Sequence, residues 1–240
     1  MIGNIIIKDL KILYGKQEDI YSYIEERLDN EKLWIVTLNA LMYMEYLKEN
    51  NYTKALKKAS FSIPDGVGIV KMLKKKNIET ERCPGIDTMK FLFKLSQEKN
   101  YNIFLLGSKD DIVQKASDNI KKNFYVQIVG TNDGYFNFGK EEEEIVKKIN
   151  DAKTDLLFVG MGIPKQEIFI YRNYDKLNVK LLMGVGGSFD VLSGEIKRAP
   201  SFFQKFGLEW FYRMIEEPHR FKKLPQLLKF YYKIFLNKFE

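Results

Sequence analysis

Six short apolar runs, Leu33 to Leu38, Phe61 to Ile63, Tyr101 to Leu106, Tyr125 to Val129, Asp155 to Val159 and Lys180 to Val185, alternate with helix-patterned segments such as Asp87 to Lys99, Lys109 to Lys122 and Glu141 to Ala152. Runs of this length, bounded by turn residues, read as strands. Strand and helix in alternation predict an α/β fold: a mostly parallel, Rossmann-like sheet covered by helices. At 240 residues and 45% apolar, the chain has enough material to bury such a core. Ligands of such sheets bind outside the carboxyl ends of the strands, so the polar residues that follow each run are the candidates.

Those positions are rich in glycine, amides and carboxylates. Thr37 and Asn39 stand at the end of the first run, Pro64-Asp65-Gly66-Val67-Gly68 follows the second, and Gly107-Ser108 the third. Gly160-Met161-Gly162-Ile163-Pro164-Lys165-Gln166-Glu167 and Gly184-Val185-Gly186-Gly187 through Asp190 close the last two, and two glycine-gated strand ends imply one shared pocket. Asp65 reads equally as a general base or as the N-cap of the helix behind it. Thr37 and Asn39 are either ligands for a polar substrate or the cap of a helix beginning near Ala40.

Several chemistries are excluded by residue type. Cys83 and His219 are the single cysteine and histidine, which removes disulfide frameworks, zinc clusters and Ser/His/Asp triads within the body. Gly160-x-Gly162 and Gly184-x-Gly186 lack the third glycine and downstream acid of a dinucleotide fingerprint, and neither a Walker lysine nor an Asp-x-Asp metal pair occurs. No metal and no cofactor is expected. A bound diphosphate would have to be held by cations and helix N-termini, with Arg82, Arg198, Arg213 and Arg220 as candidates.

The one compositional boundary falls near Ile196. Residues 196–240 hold ten of the 39 Lys and Arg but four of the 32 Asp and Glu, leaving 29 against 28 in the first 195; they also hold 12 of the 34 aromatics. The expected division is an α/β body, 1–195, and a basic, aromatic helical appendage, 196–240. Leu224, Leu228, Tyr231 and Phe235 fall on one helical face and Lys222, Gln226, Lys229, Lys233 and Asn237 on another. That pattern suits either the interface of an anionic membrane or a helix packed on the body or another subunit. No run approaches the roughly 18 to 20 apolar residues of a membrane span, and no signal peptide is visible, so a cytoplasmic protein peripheral to the membrane is expected. A nonenzymatic membrane or nucleic-acid binding module is the rival reading, and an oxidoreductase a weaker third.

In chain order, Thr37-Leu38-Asn39, Pro64 to Gly68, Arg82 with Gly85 and Asp87, Gly160 to Glu167, Gly184 to Asp190, Arg198-Ala199-Pro200, Gly207-Leu208-Glu209-Trp210-x-x-Arg213 and Glu217-Pro218-x-Arg220 resemble the WecG/TagA/CpsF family of bacterial glycosyltransferases. The resemblance spans almost the whole chain. It implies inverting, metal-independent transfer of N-acetylmannosamine from a UDP donor to a lipid-linked N-acetylglucosamine diphosphate, with no nucleic-acid partner and with assembly as a homo-oligomer. By the same resemblance Asp65 is the base, Thr37, Asn39 and Gln166 contact sugar or acceptor, the glycine turns and Arg82 face the nucleotide, and Arg213 and Arg220 complete the site from the appendage. Lys165, Glu167, Asp190 and Arg198 join the substrate-binding set. Lys222 and Lys223 stand where members often carry arginine, and are assigned to the membrane because lysine loses bidentate phosphate binding.

Overall fold

The computed structural model describes residues 2–205 and 207–239, without the side chains at 201, 205, 213 and 219. In chain order the elements are β1 Gly3–Ile7, β2 Leu10–Tyr14, α1 Gln17–Leu28, β3 Leu33–Leu38, α2 Ala40–Tyr46, α3 Asn51–Lys58, β4 Phe61–Pro64, α4 Val67–Lys74, α5 Gly85–Lys99, β5 Asn102–Gly107, α6 Asp110–Phe124, β6 Gln127–Asn132, α7 Lys140–Asp151, β7 Leu156–Gly160, α8 Lys165–Asn173, β8 Leu181–Gly184 and α9 Ser188–Leu192. Among the described residues that follow, the elements are helical: α10 Ser201–Lys205, α11 Glu209–Glu216, a 3-10 turn Pro218–Lys223 and α12 Leu224–Phe235.

The eight strands form one sheet in the order β1-β2-β4-β3-β8-β7-β5-β6, parallel throughout except for the β1–β2 hairpin. The fold is the mostly parallel, helix-covered α/β sheet that the alternation predicts. Successive strand side chains point to opposite faces. Trp34, Val36, Leu38, Phe104, Leu106, Leu157, Val159 and Leu182 therefore build one core, while Leu33, Ile35, Ile103, Leu105, Leu156, Phe158, Leu181 and Met183 build the other. Burial on both faces explains why these runs are continuous rather than alternating in sequence.

Three local differences from the sequence reading have physical causes. The opening hairpin carries no local signal because its two-residue turn is Lys8-Asp9, at φ 46° and 68°, rather than the Asn-Gly or Asp-Gly that such a turn favours. Tyr125 is not in a strand; it ends α6 in the left-handed conformation at φ 53°, and β6 begins at Gln127. In α12 the buried face is Leu227, Phe230 and Ile234, whereas Leu228 and Phe235, assigned by spacing to the apolar face, are 60% and 76% exposed. This helix is apolar around most of its girth, and the fit of Phe230 to the body selects which stripe is covered.

That fit is close. A Cβ on Gly68 would lie 2.7 Å from the Phe230 ring, and one on Gly207 2.7 Å from Cβ of Val67. Phe230 also meets Tyr43 edge-on, with ring centroids 6.0 Å apart, and the Tyr43 hydroxyl donates to the Phe239 carbonyl. The C-terminal helices are thereby seated on α2 and α4.

Candidate active site

A cavity of about 360 Å³ opens at the carboxyl ends of β3, β4, β7 and β8 and is closed on its far side by α11 and α12. Thr37, Asn39, Asp65, Arg82, Gly162, Gln166, Gly186, Gly187, Arg198 and Arg220 all line it, so residues from seven separate motifs converge on one space. A space of this size, in which polar and charged groups converge among apolar side chains, is a usual form of a small-molecule site.

Asp65 follows β4 directly. It does not cap α4, whose N-cap is Gly66; its Oδ1 instead accepts from the N–H of Gly85, at the start of α5, at 2.7 Å. Arg82 Nε donates to the Asp65 carbonyl at 3.0 Å, which fixes the arginine beside the carboxylate. Thr37 Oγ1 donates to the Gly184 carbonyl at 3.0 Å and ties β3 to β8 at the pocket floor. Asn39 caps α2, its Oδ1 accepting from Leu41 and Met42 N–H at 3.1 Å. The capping reading of Asn39 therefore holds, and the residue still lines the cavity.

The cations are held by acids rather than left to solvent. Arg198 grips Asp87 through both guanidinium ends at 2.7 and 2.6 Å, with Glu209 at 3.7 Å from its Nε. Arg82 pairs with the same Glu209, and Arg220 lies 2.8 Å from Glu217. Lys223 lines the cavity beside Arg220; burial and then the Arg220 charge lower its pKa. Lys222, by contrast, is exposed. The two lysines assigned together to the membrane thus part company, because in a turn of three residues neighbours point in different directions. Arg213 belongs to α11, and its side chain lies outside the described residues.

Other candidates sit behind the cavity. Gly107, Gly160 and Gly184 are needed for packing: a Cβ there would reach the Gly160 backbone at 2.4 Å, Phe189 at 2.6 Å and Gln166 at 2.5 Å. Gly162 and Gly186, at φ 72° and 52°, would have nothing within 4 Å of an added Cβ and bound open space. Lys165 donates to the Gly134 carbonyl at 2.6 Å, away from the cavity, and Asp190 accepts from Ser108 Oγ at 2.8 Å. Glu167 is wholly interior. Met214 and Leu227, which also line the cavity, carry no sequence signal beyond their apolar character, whereas Trp210 of the Gly207–Arg213 motif and Tyr231 of the apolar helical stripe join them there. Among the described residues no three His, Cys, Asp or Glu side chains gather around a common point.

The parallel α/β sheet thus gathers one carboxylate, Asp65, and several cations in a single pocket at its strand ends. The sequence model of the "Glycosyl transferase WecG/TagA/CpsF family" matches residues 6–240. The chain is 36% identical over 213 residues to the N-acetylglucosaminyldiphosphoundecaprenol N-acetyl-beta-D-mannosaminyltransferase of Bacillus subtilis (strain 168), covering 87% of this chain and 82% of that protein. To the enzyme of the same name from Bacillus spizizenii it is 34% identical over 229 residues, covering 93% and 88%, and to that from Staphylococcus aureus (strain MW2) 33% over 218 residues, covering 90% and 85%. This chain belongs to the WecG/TagA/CpsF glycosyltransferase family.

Proposed function

We propose that the chain moves N-acetylmannosamine from UDP-N-acetylmannosamine to undecaprenyl-diphosphate-linked N-acetylglucosamine, with inversion and without a required metal, in the synthesis of wall teichoic acid linkage units. The names of the relatives support the sugar and the acceptor. The observation that carries the mechanism is the placement of Asp65 in one cavity with Arg82, Arg198 and Arg220. Asp65 takes the proton of the acceptor hydroxyl as its oxygen attacks the anomeric carbon. The bond from that carbon to the UDP oxygen breaks, and UDP leaves with the electron pair. General base action contributes about 10² to 10⁴ in rate, and fixed cations around the departing diphosphate add to it in a water-poor site.

The division into a body, 1–195, and an appendage, 196–240, serves this reading. The appendage closes the cavity with one side and presents Leu228, Tyr232 and Phe235, spaced along a second stripe of α12, to the outside. Lysines at 222 and 229 flank the exposed stripe, the arrangement that favours an anionic lipid surface. No helix among the described residues is long and apolar enough to cross a membrane. A peripheral enzyme at the inner membrane face follows from this reading.

The deciding experiment is product analysis with a lipid-diphosphate N-acetylglucosamine acceptor, offering UDP-N-acetylmannosamine and its glucosamine epimer in parallel. A β-linked disaccharide from the first donor is the expected product. Transfer from the epimer alone would assign the chain to another surface polysaccharide, and no transfer from either would overturn the proposal.

A further inference from the structure

Gln166 and Glu167 lie in the first turn of α8, and both are buried, at 2% and 1% exposure. Gln166 Oε1 accepts two backbone hydrogen bonds, from Gly162 N–H at 3.1 Å and from Gly186 N–H at 3.0 Å. One oxygen thus ties the turn after β7 to the turn after β8, the two turns that bound open space. Its orientation is set from the other end of the amide, where Nε2 donates to Glu167 Oε1 at 2.6 Å. A reversed amide would place its NH2 against two N–H donors, which chemistry forbids. Gly184 lies directly against the pair: a Cβ there would come 2.5 Å from Gln166 Nε2 and 2.9 Å from Glu167 Oε1.

We infer that Glu167 is a positioning residue, which by accepting from Gln166 fixes the amide so that the Gln166 oxygen holds the Gly162 and Gly186 turns at one spacing and thereby sets the width of the donor cleft. The last clause rests on the proposed function; the clamp itself rests on the hydrogen bonds. Glu167 suits this work because it can be present as the neutral acid. Burial pushes its pKa up to about 8, and its Oε2 makes no hydrogen bond among the described residues, a poor setting for an ionised carboxylate. A neutral acceptor orients a neighbouring amide without importing charge into the cleft wall.

The test compares the full-length wild type with Glu167→Leu, which removes the acceptor, and Glu167→Gln, which keeps one. Amide hydrogen exchange is followed in ligand-free protein over peptides containing Gly162 and Gly186. In Glu167→Leu both segments should exchange at least ten-fold faster while the peptides of β5 and β7 stay protected, and Glu167→Gln should restore slow exchange. KM for the UDP-sugar should rise about ten-fold in the leucine variant, with kcat changed less, and return with glutamine. Glu167→Met replaces the leucine variant if that one does not fold. Unchanged exchange at both glycines in a folded apolar variant overturns the inference, as does a glutamine variant that exchanges as fast as the apolar one. Wild type that does not bind UDP would refute the donor reading instead, since the exchange measurement needs no ligand.

Discussion

Glu209 of α11 pairs with Arg82, the residue whose Nε is bonded to the Asp65 carbonyl, so a single acid of the C-terminal helices reaches to within one side chain of the candidate base. Arg82 also donates to the Gln204 carbonyl at 3.2 Å, and Arg198 approaches Glu209 from its other side. Glu209→Ala should therefore loosen the C-terminal helices and misplace Arg82 together. Limited proteolysis between residues 196 and 210 should accelerate, with turnover falling about ten-fold. Turnover equal to wild type would show that the contact is incidental.

Asp65→Asn retains an acceptor for Gly85 N–H but cannot take a proton. Turnover should fall by roughly 10² or more while UDP affinity and melting temperature stay near wild type. A large loss of melting temperature would mark Asp65 as chiefly a brace for α5.

Because Arg82, Arg198, Arg220 and Lys223 line the cavity, cations are in place to meet a diphosphate. Activity should persist in EDTA at concentrations that strip magnesium and manganese. Complete loss, restored by either ion, would contradict the metal-independent mechanism.

Deletion of residues 196–240 should release the protein from anionic vesicles and abolish transfer, since one wall of the cavity leaves with it. Leu228→Glu combined with Phe235→Glu should instead weaken vesicle binding by ten-fold or more while leaving turnover on a soluble short-chain acceptor. Vesicle binding that survives the double change would move the membrane contact elsewhere.

Glu167 should write a pH dependence into stability. Its pKa is raised from 4.5 to about 8 in the fold, so between those values the unfolded chain releases a proton that the folded chain keeps. Stability from this group is then lost as pH rises, by about 1.4 kcal/mol per unit at most, and levels off above the folded pKa. In Glu167→Gln the loss disappears, so the difference in melting temperature between variant and wild type should widen in favour of the variant from pH 5 to 8. A constant difference would mean that Glu167 does not titrate in that window.

The parallel sheet is legible because strands buried on both faces leave unbroken apolar runs such as Leu33–Leu38, a signal carried in one place in the chain. The polar residues at their ends are legible for the same reason, since topology alone sends them to one edge. What escapes depends on contacts between distant residues. Lys8-Asp9 turns a hairpin without the usual glycine, and Phe230 rather than Phe235 faces inward because of what Gly68 leaves open. Gln166, a sugar or acceptor contact by resemblance, lines the cavity, but the hydrogen bond it accepts from Gly186 joins two separate strand-end turns and could not be read from the local sequence.

Gly68 lies in the motif that carries Asp65, yet the room a Cβ would need there is taken up by the ring of Phe230, 162 positions further along the chain. The two positions are thus a matched pair: enlarging the first demands shrinking the second. Across a lineage they should drift together, and a chimera that joins the body of one relative to the C-terminal helices of another should work only when both parents agree at this one point of contact.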